Sequence, residues 1–536
     1  VVHEIAHMWF GDLVTMKWWN GIWLNEAFAT FMEHAGVDAF RPEWRTWDDL
    51  ALSRAAAMDI DALSHTRAVE YEVHTPEDAE GMFDVLTYQK GGSVVRMLEQ
   101  WLGADAFRAG VRHYLDRYRY ANTETTDLWD SLEAATSQPA RRIMDSWIFQ
   151  PGFPEVVVEP SLAGVRLSQR RFTYADDTDA TTWSIPVLAR VDDEVHQLLV
   201  EGDGISLDVP GDARVVVNAG GEGFYRVAYP PVMRATLLTH GRLNARERFA
   251  IVDDAWAAVL ANTATVAEYV DLLDSFVNEP DLVVWRTILG RARDATRLVD
   301  GPALDALRAR LAAILRPTFD RLGWDPASGE DGRERQLRGL VLDSLATVGR
   351  DDEIAAEAKV RHERVGTDPD VVAACIAIIA DRGGEAEFDD YVRRFETSDT
   401  PQEQLRYLYA LMQFPTRELV LRAAQLASSD AVRSQNGPFL LQRGLKHRVH
   451  GPAVWEFVHH NWGAIDDRFP RTLMSRMLEG ITWLVDDQTA RDVPAFLAEH
   501  PIKEGAKVIA QHLERQRIHR TLWEREHDRF ATELLS

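Results

Sequence analysis

The chain has 536 residues, 46% of them hydrophobic and 27% charged, an ordinary globular composition that excludes wholesale disorder and a collagen-like fibre. Lys+Arg 59 against Asp+Glu 85 leave a formal charge of −26, which argues against non-specific binding to nucleic acid or to an anionic membrane. The single cysteine, Cys375, excludes an internal disulfide and any zinc site built from cysteines.

At about 100–200 residues per domain, the length predicts a multidomain protein. The chain opens Val1-Val2-His3, with no initiating Met and no signal peptide, and reads as a fragment whose natural N-terminus lies upstream. The first motif is His3-Glu4-Ile5-Ala6-His7. On a helix, residues i and i+4 lie about 40° apart around the axis and about 6 Å along it. Two imidazoles on that face can share one metal ion, and Glu4 beside them is placed to touch a metal-bound water rather than the metal. The next predicted helix, Trp23 to Gly36, has apolar residues at 24, 27, 28, 31, 32 and 35. Glu26 lies within this apolar, aromatic stretch, where a buried carboxylate needs a cation. It is the candidate for the third protein ligand that a catalytic zinc typically takes, against the alternative of an exposed helix glutamate.

Gly92 to Leu102 repeats the helical period, and Thr126-Asp127-Leu128 opens another helix with a cap. Gln150-Pro151-Gly152-Phe153-Pro154 breaks helix twice and marks a boundary. From Glu155 to about Tyr229, short β-branched runs separated by Gly, Pro and Asp clusters predict a small β-sandwich. Beyond about residue 232 the pattern is helical to the end, as in an irregular solenoid of stacked helix pairs. The longest apolar run, Val371 to Ala380, is half of what a membrane helix needs and reads as a buried helix with Cys375 in its core. The chain has no Gly-rich phosphate loop after a strand and no Gly-x-Ser-x-Gly elbow. The predicted domains are therefore 1–149, mainly helical, 150–230, the sandwich, and 231–536, helical.

The segment HEIAHMWFGDLVTMKWWNGIWLNEAF, His3 to Phe28, resembles the zinc-site segment of M1 family aminopeptidases, which are gluzincins with H-E-x-x-H, eighteen residues, then Glu. Tyr88-Gln89-Lys90-Gly91 is similar to the family's Tyr-x-Lys-Gly motif, and Trp147 to Pro154 and Gly221 to Tyr229 match it further along. The resemblance implies a fold with the C-terminal part of a thermolysin-like catalytic domain, then the sandwich, then the solenoid-like domain. It implies one Zn2+ per chain held by His3, His7 and Glu26, with Glu4 as general base and Tyr88 as oxyanion donor. No further cofactor is implied. Glu33, seven residues after Glu26 and about 20° away on the same helical face, is expected to orient a ligand histidine.

The implied activity is removal of N-terminal residues from peptides, with no nucleic-acid partner and no membrane segment in this chain. A cytoplasmic location is expected, and the oligomeric state is left open. Ala27 stands where the family commonly has Gly, and Gly21 where it has Asp. The family's Gly-x-Met-Glu-Asn motif, whose glutamate holds the substrate's free α-amine, is expected upstream of residue 1. Residues 1–536 alone are accordingly expected to be inactive, with apolar surface uncovered around Phe10, Trp18, Trp19 and Trp23. Two alternatives remain: another gluzincin hydrolase, either an endopeptidase or an epoxide hydrolase, and a non-catalytic helical scaffold that binds a peptide or protein.

Overall fold

The computed structural model describes residues 1–175, 179–211 and 213–536. It forms two compact units, Val1–Ala261 and Asn262–Ser536. The first unit opens with α1 (Val2–Ala6), β1 (Val14–Met16), α2 (Trp23–Phe40), α3 (Thr46–Asp61) and α4 (Pro76–Glu80). A π-helical turn (Leu86–Lys90) then runs directly into α5 (Gly91–Leu102). After it come α6 (Ala104–Arg117), β2 (Ala121–Thr123), α7 (Thr125–Thr136) and α8 (Ala140–Ile148).

The predicted stripe of α2 is the buried one: Leu24, Ala27, Phe28 and Phe31 face the core. Glu124 caps α7: its backbone N–H donates to the Asp127 side chain at 2.8 Å, and its carbonyl accepts the Asp127 N–H at 3.0 Å. Trp23 and Phe10, expected to be uncovered, are buried at 0% and 4% exposure; only Trp18 and Trp19 of that group are exposed. The reason is local. Phe10 stacks on Phe28 with ring centroids 4.7 Å apart. Trp23 donates its indole N–H to Glu70 and Thr125 within the unit.

Among the described residues seven strands follow: β3 (Phe153–Ser161), β4 (Gly164–Phe172), β5 (Ile185–Val191), β6 (Glu194–Val200), β7 (Ile205–Asp208), β8 (Val215–Val217) and β9 (Arg226–Ala228). They form a sheet of order β7-β4-β3-β9 and another of order β6-β5-β8. Phe153 pairs with Phe172 across the antiparallel β3–β4 ladder. Val156, Val158 and Leu167 from one sheet and Ile185, Val187 and Ala189 from the other are buried in a common core. That core is continuous with the preceding helices. The Trp147 ring of α8 lies 6.4 Å from Phe224, and Phe224 lies 5.5 Å from Phe153.

Two helices close the first unit, α9 (Pro231–His240) and α10 (Ala245–Leu260). The sequence division at 230/231 groups them with the C-terminal helices, whereas here they share the first unit with the strands. The physical tie is Arg226 of β9. Its buried guanidinium donates to Asp253 at 2.8 Å and Asp254 at 3.0 Å, both on α10.

The second unit is helical from Val266–Leu273 to Ala506–Leu535. Neighbouring helices lie against one another: Gly332–Thr347 and Asp352–His362 both pack on Pro369–Arg382, and Glu385–Thr397 packs on Pro401–Ala410. The apolar run sits inside Pro369–Arg382, where Cys375 is fully buried. Burial pushes its thiol up to about 12, so it is a packing residue rather than a nucleophile. The last helix, Ala506–Leu535, returns to contact Val266–Leu273 and Gly301–Leu322. Its buried Glu526 accepts the Val266 N–H at 3.2 Å. No described helix is long and apolar enough to cross a membrane.

Candidate metal centre

His3 and Glu4 lie on α1, and His7 follows at its C-terminal end with helical backbone angles. The i, i+4 spacing therefore does what helix geometry demands: the two rings meet edge to face with centroids 4.8 Å apart. Glu26, on the first turn of α2, points back at both. Its Oε2 is 3.4 Å from His3 Nε2 and 3.5 Å from His7 Nε2. Among the described residues, these three are the one cluster of His, Cys, Asp and Glu whose ligand atoms all lie within 4.8 Å of one another. Two ligands each about 2.1 Å from a shared ion at a tetrahedral angle are about 3.4 Å apart, so the separations fit zinc. The donor set, two imidazoles and one carboxylate, leaves a coordination position open.

The other ring nitrogens are also engaged. His7 Nδ1 is 3.1 Å from the Phe10 carbonyl, which fixes Nδ1 as the donor and leaves Nε2 free to ligate. His3 Nδ1 is 3.5 Å from Glu33 Oε2, where the i+7 spacing on α2 places it. Glu4 is exposed and makes no hydrogen bond or ion pair with another described residue. Tyr88, on the π-turn, lays its ring nearly parallel to His3 with centroids 6.1 Å apart. Burial pushes its hydroxyl above the ordinary phenol range. The Glu26 charge adds to that rise, and Glu4 contributes least. A phenol hydroxyl, ordinarily titrating at about 10, carries its proton at neutral pH and can donate.

Four elements of this arrangement escape sequence reasoning. The Phe10 carbonyl is a backbone group and carries no side-chain signal. Glu70 accepts from Asn20 at 2.7 Å and from Trp23 at 3.1 Å, holding the start of α2 and hence Glu26. Arg67 and Asp61 grip the π-turn from a distant stretch of chain. Tyr-x-Lys-Gly was the only pointer to that turn, and it flags Lys90 but not what Lys90 touches.

The departure at Ala27 has a structural counterpart. A Cβ on Gly91 would lie 2.6 Å from the Ala27 Cβ, so α5 approaches α2 as closely as the glycine allows. Gly91→Ala is expected to cost about 1–3 kcal/mol by overpacking. Ala27→Gly in the same chain should recover all but about 1 kcal/mol, the helical cost of the new glycine. Denaturant midpoints of the wild type, Gly91→Ala and the double variant check this; an equal loss in the double variant would place the strain elsewhere.

Residues 1–147 match the family model of the peptidase family M1 domain, and residues 215–518 that of the ERAP1-like C-terminal domain. Among curated proteins, Aminopeptidase M1-A of Oryza sativa subsp. japonica is 29% identical across 97% of this chain and 62% of its own length. Aminopeptidase M1 of Arabidopsis thaliana is 27% identical across 97% of this chain and 63% of its own length. The Tricorn protease-interacting factor F2 of Thermoplasma acidophilum is 34% identical across 70% of this chain and 47% of its own length. The chain thus spans less than two thirds of each of these relatives. The ERAP1-like model covers more than half of the chain and the peptidase model covers the segment that holds His3, His7 and Glu26, so this chain belongs to peptidase family M1.

Proposed function

We propose that the protein is a zinc-dependent aminopeptidase that hydrolyses N-terminal residues from peptides. The observation that carries the reading is the convergence of His3 Nε2, His7 Nε2 and Glu26 Oε2 on one point, with Glu4 free beside them. The aminopeptidase names of the rice and Arabidopsis relatives support the reaction class. Zinc, when bound there, acidifies a water toward a pKa of about 7 and polarises the scissile carbonyl. Glu4 accepts the proton of the attacking water and passes it to the leaving amine. The Tyr88 hydroxyl donates to the developing oxyanion, so it binds the transition state more strongly than the ground state. Glu33 and the Phe10 carbonyl hold the two imidazoles so that Nε2 of each faces Glu26.

The test uses the natural full-length protein, zinc-loaded, on aminoacyl 4-nitroanilides and on matched N-acetylated peptides. Cleavage that requires the free α-amine is expected. Equal cleavage of acetylated substrates would replace the reading with an endopeptidase. Tyr88→Phe should keep zinc and fold while lowering kcat on the order of 100-fold. Wild-type turnover in that variant would remove Tyr88 from the reaction.

A further inference from the structure

Tyr88 sits on a rare backbone. A π-turn inserts one residue into the helical ladder and persists only where its surroundings hold it. Tyr88 itself makes few contacts: its ring is partly exposed beside His3, with centroids 6.1 Å apart, and its hydroxyl is hydrogen-bonded to Glu26. The grip comes from the flanks.

On the N-terminal side, Asp84 Oδ1 accepts the N–H groups of Leu86 at 2.9 Å and Thr87 at 3.3 Å. Arg67 clamps that carboxylate, with Nη2 at 2.5 Å from Oδ1 and Nε at 3.2 Å from Oδ2. The same Nη2 donates to the Thr87 hydroxyl at 2.8 Å, next to Tyr88, and to the Met82 carbonyl at 3.2 Å. Nη1 donates to the carbonyls of Ala68 and Val69, so the guanidinium is itself fixed to its own stretch of chain.

On the C-terminal side, Lys90 is fully buried and donates to Asp61 Oδ2 at 2.8 Å and to the Gly152 carbonyl at 2.9 Å. Asp61 in turn accepts from the Thr66 hydroxyl at 2.5 Å and from the Gly152 N–H at 3.0 Å, both on Oδ1. A buried ion pair contributes little net stability and is best retained where it sets register. Asp61 ends α3 and Arg67 follows six residues later, so one short stretch of chain bolts the turn at both ends.

We infer that Arg67 and the Lys90–Asp61 pair are positioning residues that set the height of the Tyr88 hydroxyl over the metal cluster, through the π-turn they pin at both ends. The inference rests on the proposed role of Tyr88 as oxyanion donor. An oxyanion donor acts only within about 2.7–3.1 Å of its target, and a misplacement of about 1 Å costs on the order of 100-fold in rate. The clamp therefore acts on kcat and leaves substrate binding and zinc alone.

The experiment is a pair of double-mutant cycles in the natural full-length, zinc-loaded protein, assayed on the best aminoacyl 4-nitroanilide of a panel. Asp61→Asn with Lys90→Met removes both buried charges, while the amide oxygen that replaces the carboxylate can still accept from Thr66 and Gly152. Thr87→Val is isosteric and removes only the hydroxyl that Arg67 grips, so it remains informative where the first variant folds poorly. The expected result is a kcat loss of about 10- to 100-fold in the paired variant and about threefold or more in Thr87→Val, with KM and zinc content unchanged. Made on a Tyr88→Phe background, the same substitutions are expected to change kcat by less than about twofold, because the group they position is gone. Equal losses on both backgrounds, or wild-type kcat in the folded variants, would overturn the inference while leaving Tyr88 in the reaction. A silent Tyr88→Phe would instead overturn the reading on which the inference stands, and the inference with it.

Discussion

Glu4→Gln, in the natural full-length protein, is expected to keep zinc at wild-type occupancy and to lower kcat on the order of 10²- to 10⁴-fold. The separation of these two effects follows from where Glu4 sits. It lies between His3 and His7 in sequence, yet its carboxylate is outside the three-atom cluster formed by His3, His7 and Glu26. Its side chain is exposed and has no hydrogen bond or ion pair among the described residues, so glutamine breaks no contact that holds α1. What glutamine cannot do is accept a proton. KM should change little, since substrate binding does not depend on that transfer. Metal content by atomic emission, measured beside kcat, checks both halves. Wild-type kcat with full zinc would remove Glu4 as the base.

The metal itself carries the second large effect. Glu26→Ala and His7→Ala each remove one of the three atoms proposed to hold the metal, whereas Glu33→Gln removes only the partner of a proposed ligand. Loss of an outer partner costs about 10–100-fold in metal affinity, so each ligand variant should lose more than about 100-fold and Glu33→Gln should fall within that lower range. Glu26→Ala has a second consequence, because its carboxylate is what both Nε2 atoms face at 3.4 and 3.5 Å. Without it the two imidazoles retain only their Nδ1 partners, Glu33 and the Phe10 carbonyl. Competition with a fluorescent zinc chelator orders the variants. Full zinc occupancy in Glu26→Ala and His7→Ala alike would remove the cluster as the metal site.

The parts of this site that are legible in the sequence are those set by local spacing. His3, His7 and Glu33 are placed by helix periodicity alone, and Glu26 stands out as an acid in an apolar stripe. Tyr88 is different. A tyrosine near two glycines looks like any packed aromatic, and only the resemblance of its motif distinguishes it. The π-turn is not legible, since one inserted residue leaves no compositional trace. Arg67, Asp61 and Glu70 are equally silent because each acts on partners in another stretch of chain that folding alone brings near. The fold shows the same division. Strand runs and the stripes of α2 and α5 follow from periodicity. Where α9 and α10 belong does not, because an amphipathic helix does not announce which core it covers. Here the deciding contacts are the Arg226 guanidinium on Asp253 and Asp254 of α10 and Arg214 Nη1 on the His240 carbonyl of α9.

Trp147, Phe224 and Phe153 join the helices before residue 149 to the strands after it, in one continuous set of buried rings. A segment that shares its interior in this way is not a portable part. Recombination at the Gln150–Pro154 break, where the sequence most invites it, would separate halves of a single hydrophobic interior and hand each offspring protein an open apolar face. The interior these rings share extends through the unit that runs to about residue 261, so the sandwich and the His3, His7 and Glu26 cluster belong to one packed body.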